Sequence, residues 1–304
     1  MYAHALKHTF SLRMNGMRKH KGFILPLFLA LAVLLALNLL PGSSLNPKPP
    51  RYVAAVSIVS PFVYTFKSTG VLNEASNMEE STSPYWWLNS GGQFIIEGGF
   101  GNTMLGDAPL WSYWRLLYAL TNPTDTDLGA HPQNIFRLVS RSTWENVRME
   151  AQFKILKDNW STSPNRNASN GLLLMNRYVN DDTLYYAGIR VDGLAVIKKK
   201  YDGVYYTMAQ KQEFAGTYVA GERISMLPHQ IWIGLRSETI TNTDGSISVK
   251  LYMQKEGGTW KKLLEARDSG AYGGTPPIAA SGFVGMRTDF MDVRFDSIRI
   301  ETVL

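Results

Sequence analysis

The side chains able to do chemistry here are few, and their types narrow what that chemistry can be. None of the 304 residues is cysteine, which excludes disulfides, thiolate metal sites and a cysteine nucleophile. The five histidines are His4, His8, His20, His131 and His229. No pair of them has metal-ligand spacing, and no Gly-x-Ser-x-Gly elbow supplies a serine nucleophile. His229 follows Pro228 and precedes a strand, which reads as a turn position. Asp125, Asp127 and His131 share a polar loop, Asn122–Asn134. Their spacing lacks the glycine and terminal glutamate of an EF-hand, so they read as turn caps. Gly98-Gly99-Phe100-Gly101 lacks the helix and the Lys/Ser that a phosphate-cradling loop needs, and reads as a hairpin turn. Lys198-Lys199-Lys200 reads as a solvated strand end. Asn159-Trp-Ser and Asn167-Ala-Ser match the glycosylation sequon, here a chance product of an Asn/Ser-rich loop.

A better-supported constellation is one of recognition. Arg177, Tyr186, Arg190, Arg236 and Tyr252 fall, by strand alternation, on non-core faces. Tyrosine rings are flat apolar platforms for sugar rings, and arginine forks suit carboxylates or sulfates. An anionic glycan is the ligand this set implies. The competing reading is that long amphipathic side chains simply cover a sheet.

These residues must be positioned by strands. Leu172–Tyr178, Thr183–Val191, Leu194–Lys200 and Val204–Ala209 are rich in β-branched and aromatic residues, and Asp192-Gly193 and Asp202-Gly203 between them are tight-hairpin pairs. In the second of these strands, Tyr185, Ala187, Ile189 and Val191 read as core, with Leu184, Tyr186, Gly188 and Arg190 opposite. Ile135–Val139, Val147–Ile155, Gln230–Arg236, Ser246–Met253, Gly282–Met286 and Val293–Ile300 are further strands, the fourth following a turn at Thr243-Asp244-Gly245. Tyr52–Phe66 reads as a first strand pair, and Trp111–Tyr118 as either a short helix or a strand. Many short strands with frequent turn signals predict an all-β, two-sheet antiparallel sandwich or jelly roll.

The N-terminus carries a different signal. Residues 1–22 form a basic tail, and Phe23–Leu40 is an unbroken apolar run of about eighteen residues, near the lower limit for crossing a bilayer. Lys7, Arg13, Arg18, Lys19 and Lys21 precede it, which orients the tail toward the cytoplasm and residues 52–304 outside. An uncleaved transmembrane signal-anchor helix over 23–40 is expected; a signal peptide cut near Gly42–Ser44 is the alternative. Residues 41–51 are a Pro-rich linker. The tail accounts for most of the formal charge of +6, so the folded part is near neutral and nucleic acid is not an expected partner. A large exported domain without cysteine fits a bacterial envelope.

Leu184-Tyr-Tyr-Ala-Gly-Ile-Arg-Val-Asp-Gly, Trp232-Ile-Gly-Leu-Arg, Gly282-Phe-Val-Gly-Met-Arg-Thr-Asp-Phe and Val293-Arg-Phe-Asp-Ser-Ile follow one another in an order that resembles the concanavalin-A-like lectin/glucanase superfamily, which includes laminin-G-like modules. The resemblance spans Val147 to Val303, roughly half the chain, and its motifs specify a fold rather than an activity. It implies a jelly roll over 52–304 whose concave sheet contacts glycans, and a structural calcium near loop acids including Asp289 and Asp296. Members that hydrolyse glucans carry a Glu-x-Asp-x-(x)-Glu strand. Glu145 and Glu150 do not supply one, and Arg236-Ser-Glu matches only a fragment of the alginate-lyase motifs. The expected function is a membrane-anchored, extracytoplasmic, non-catalytic carbohydrate-binding or adhesion module. A polysaccharide hydrolase or lyase with an unrecognised site is the alternative, and a purely structural envelope module a further one.

Overall fold

The computed structural model describes residues 53–303 except 220, 223 and 224. The basic tail, the apolar run Phe23–Leu40 and the linker lie outside the described residues. Among the described residues, no helix is long and apolar enough to cross a membrane.

Sixteen strands among the described residues build two sheets, every pairing antiparallel. One sheet has the order β14-β13-β12-β7-β16-β5-β4-β2, with β1 paired to β16. Its strands are β1 (Phe62–Tyr64), β2 (Gly70–Asn73), β4 (Gln93–Glu97), β5 (Phe100–Thr103), β7 (Val147–Asp158), β12 (Ile233–Thr241), β13 (Ile247–Lys255), β14 (Lys261–Asp268) and β16 (Met291–Thr302). The other has seven strands in the order β11-β10-β9-β8-β15-β6-β3. These are β3 (Trp86–Ser90), β6 (Ile135–Trp144), β8 (Gly171–Asn180), β9 (Thr183–Arg190), β10 (Leu194–Tyr201), β11 (Val204–Gln212) and β15 (Gly282–Asp289).

Alternation explains the sandwich. In β7, Val147, Met149, Ala151, Phe153 and Ile155 are buried while the residues between them are half-buried. In β9, Tyr185, Ala187 and Ile189 enter the same core, where Phe94, Phe136, Phe153 and Phe295 interlock with ring centroids 5.4–5.8 Å apart. Turn chemistry sets the hairpins as the sequence implies. Asp202 and Gly203 both have positive φ (46° and 82°) between β10 and β11, and Gly98 and Gly99 (59° and 83°) join β4 to β5.

Two expectations need correction, and a third is decided between its two alternatives. Of Tyr52–Phe66, only Phe62–Tyr64 forms a strand among the described residues. Trp111–Tyr118 resolves as helix α1 (Tyr113–Thr121), because Ser112 caps it by accepting from the Arg115 backbone N–H at 3.3 Å. The Lys198–Lys200 run is not simply solvated. Lys199 points into the sandwich, fully buried, and donates to Asp268 at 2.8 Å and to the Pro276 carbonyl at 2.7 Å. Asp268 also accepts from the Tyr185 hydroxyl at 2.6 Å. A buried charge must be paired and hydrogen-bonded, and here it is.

Candidate ligand-binding groove

The outer face of the seven-stranded sheet is not a plain solvated surface. Val139, Leu173, Met175, Tyr178, Leu184, Tyr186 and Val196 form a second buried apolar cluster there. Beside it lies a cavity of about 410 Å³, with a floor of Leu173, Tyr186, Val196, Lys198 and Arg287. The Asn/Ser-rich loop 158–170 supplies Asn165, Asn167 and Ser169, Asp125 comes from loop 122–131, and Tyr205 of edge strand β11 completes the lining.

Register puts the floor together. Lys198 of β10 lies opposite Tyr186 of β9, which lies opposite Met175 of β8. Arg287 of β15 lies opposite Leu173. The Tyr186 and Tyr205 rings stack with centroids 6.1 Å apart, and Tyr205 is 48% exposed, an open platform. Arg287 donates to Asp289 at 2.8 Å and to the Tyr186 hydroxyl at 3.2 Å. Burial pushes the Tyr186 hydroxyl above the usual tyrosine range, so it serves as a neutral hydrogen-bonding group. Lys198 differs from every cation around it. Arg287 has Asp289, Arg190 has Asp192 at 2.6 Å, Arg137 has Asp181, and Lys200 has Asp182 at 2.9 Å. Among the described residues, Lys198 has no carboxylate in ion-pair range and lies only beside the Tyr205 ring, 5.9 Å from its centroid. Burial, and then the charge of Arg190, hold its ammonium below the ordinary lysine range. The carboxylate that acts on it from a distance, Asp192, is itself paired with Arg190.

The residues singled out by sequence do not form one face. Tyr186 lines the groove, whereas Arg190 does not, being tied to Asp192 and donating to the Ala168 carbonyl at 3.0 Å. Arg177 is not on an outer face at all. It sits in a β-bulge of β8 with φ 48°, and the extra residue reverses the alternation and turns the guanidinium inward. Fully buried, it donates to the Glu145, Ile278 and Ala279 carbonyls and, at 2.7 Å, to the Thr241 hydroxyl, a structural clamp. Arg236 and Tyr252 lie on the nine-stranded sheet, away from the groove. There Arg236 pairs with Glu150 at 2.8 Å and lies over the Trp260 ring at 4.2 Å.

The calcium expectation is not met by the acids named for it. Asp289 belongs to β15 of one sheet and is neutralised by Arg287, whereas Asp296 belongs to β16 of the other. The two are carried by strands of opposite sheets rather than by one loop. The remaining loop acids are surrounded by donors. Asp125 accepts from Ser163 at 2.5 Å and Asn165 at 3.0 Å, and Asp127 from Ser161, Asn134 and His131. Among the described residues, no group of three or more His, Asp or Glu side chains has the arrangement to hold a metal. These contacts instead bolt loop 122–131 to loop 158–170, making one preformed groove wall. Of the two sequons, Asn159 is buried and donates to Asp292 at 2.8 Å, while Asn167 is exposed.

Sequence reasoning missed Lys198, Tyr205 and Arg287. Two of these had a signal: counting outward from Asp192-Gly193 pairs Lys198 with Tyr186, and counting from Asp202-Gly203 pairs Tyr205 with Lys200. Arg287 had none, since β15 reaches β8 across more than a hundred residues of chain.

No family model matches this chain, and no curated protein is similar to it in sequence. Solved structures are similar to it in fold. The carbohydrate-binding module CBM66 from Bacillus subtilis is 14% identical, with a TM-score of 0.38 over 56% of this chain and 83% of that one. A β-glucanase from Bacillus licheniformis is 10% identical, with a TM-score of 0.41 over 81% of this chain and all 100% of that one. The GH43 protein BlXynB from Bacillus licheniformis is 12% identical, with a TM-score of 0.45, and the match spans 83% of this chain but only 41% of that one. The likeness is one of fold alone.

Proposed function

We propose that this protein binds carbohydrate in the groove on the seven-stranded sheet, without catalysis, and that the sugar it selects carries a carboxylate or sulfate. The observation that carries this reading is Lys198: a half-buried ammonium without a carboxylate partner, in a 410 Å³ groove beside the exposed Tyr205 ring. Tyr205 offers a stacking platform, Lys198 an anion partner, and Asn165, Asn167 and Ser169 the hydroxyl-matching polar groups that orient a sugar. Both lining carboxylates are already engaged, Asp289 by Arg287 and Asp125 by Ser163 and Asn165. Neither stands as a free acid or nucleophile of the kind glycoside hydrolysis requires. In the same reading, the apolar run Phe23–Leu40 tethers the domain to the outer side of a cytoplasmic membrane, where it meets envelope or environmental polysaccharide.

A glycan array covering neutral, uronate-bearing and sulfated chains tests this. The wild-type protein is expected to retain acidic glycans. Lys198→Ala and Tyr205→Ala each weaken retention about tenfold or more, the scale of one charged hydrogen bond or one stacked ring. Retention of neutral glycans that is indifferent to Lys198→Ala would refute the anionic preference. Absence of binding to any glycan by a folded sample would refute the whole reading, and release of oligosaccharide products would replace it with polysaccharide cleavage.

A further inference from the structure

Beside the groove, residues 104–131 form a lobe with an unusual surface. The loop before α1 and the loop after it are joined by the Ala108 N–H donating to the Ala130 carbonyl at 2.7 Å. Gly129 lies so close to α1 that a Cβ there would sit 1.9 Å from the Arg115 carbonyl oxygen. The lobe is therefore one packed unit. On it Leu110 is 67% exposed, Trp111 81%, Tyr113 56% and Leu128 63%. With Leu105 and Leu120, these make six of the fourteen large hydrophobics exposed among the described residues, gathered in 24 consecutive positions. Single exposed apolar residues need no explanation, but a cluster with a tryptophan at its tip does.

Charge on this lobe is confined to Asp107, Arg115, Asp125, Asp127 and His131, each with a polar partner, although the Asp107 side chain is 67% exposed. His131 bridges Asp107 and Asp127 at 2.9 and 2.8 Å, Asp125 is held by Ser163 and Asn165, and Arg115 donates to the Ala108 carbonyl at 2.7 Å. The lobe thus offers Trp, Tyr and Leu, the residues that settle at a membrane–water interface, with its ionisable groups hydrogen-bonded within the lobe or to loop 158–170. The sequence supplies the occupant. The apolar run ends at Leu40 and the described fold begins at Val53. Residues 41–52 lie between them, and twelve residues of chain span at most about 43 Å, so a bilayer that takes up the run lies within reach of the domain.

We infer that the lobe carrying Leu110, Trp111, Tyr113 and Leu128 is a membrane-contacting surface that seats in the interfacial zone of a phospholipid bilayer. This rests on the tether reading above. It further means that the groove, whose wall includes Asp125 of the same lobe, is held close to the membrane surface.

The test is to reconstitute the full chain into phosphatidylcholine vesicles with and without brominated acyl chains, and to record tryptophan emission and vesicle flotation together. A fraction of the emission is expected to be quenched by bromolipid, equally at about 0.1 M and about 1 M salt because the contact is apolar. Trp111→Phe removes that quenched fraction, while Leu110→Ser combined with Leu128→Ser reduces it several-fold with the circular dichroism spectrum unchanged. A chain that floats with its vesicles but whose emission ignores bromolipid overturns the lobe contact while leaving the tether standing. A chain that neither floats nor is quenched overturns both. Quenching that survives Trp111→Phe, or Trp111 buried by self-association without lipid, also overturns the assignment.

Discussion

Lys198, Lys199 and Lys200 show how much one peptide unit decides. The three share a sequence run, yet Lys199 ends in the core against Asp268, Lys200 pairs with Asp182 at the surface, and Lys198 faces the groove without an acid. Period-2 geometry alone assigns the faces. What it cannot assign is partnership, which comes from strands distant in the chain. Because the free Lys198 ammonium is held below the ordinary lysine range by burial and by Arg190, anion binding at this site is linked to its protonation. A bound anion favours the charged form, so affinity is full below the free-site pKa and is lost as pH rises through it. Titrating acidic-glycan affinity by calorimetry from about pH 7 to about pH 10 should therefore show a progressive loss. Lys198→Arg, which stays charged across that range, should flatten the profile. An unchanged slope in Lys198→Arg would mean that another group governs binding.

At the level of elements, the groove depends on how closely β8 and β9 approach beneath it. Gly188 lies opposite Leu173, and a Cβ there would meet the Leu172 carbonyl oxygen at 2.1 Å and the Leu173 Cα at 2.8 Å, backbone atoms with little freedom to retreat. Gly188→Ala should cost about 1–3 kcal/mol, as overpacking does, and should shift β8 against β9 under Tyr186. Urea unfolding measures the first effect and glycan affinity the second. A variant of wild-type stability and affinity would show that the strands can move apart freely. The bulge in β8 is the complementary case. Alternation legible through Met175 fails at Arg177, because one residue of positive φ re-aims everything after it. That is why an arginine expected to bind ligand instead locks the Glu145 and Ile278–Ala279 backbone.

Across the whole molecule, one apolar core draws on both sheets, from Phe66 near the start of the domain to Ile300 near its end. Residues 53–303 should accordingly unfold as one cooperative unit, with tryptophan fluorescence and far-ultraviolet circular dichroism melting together; two separated transitions would show that the sheets are independently stable. The amino-acid sequence by itself determined the antiparallel β class, most strand positions, the hairpin turns and the inward face of β7 and β9, because alternation and Asp-Gly turns act within a few residues. It also carries the basic tail and apolar run, whose composition alone makes the case for a tether. Only the tertiary structure decided which outer-face residues meet. It separated Arg236 and Tyr252 from Tyr186, parted Asp289 from Asp296, and brought Arg287 beside Tyr186. The physical reason is the same in each case: pairing between strands far apart in the chain is set by the summed packing of two whole sheets, which no local pattern encodes.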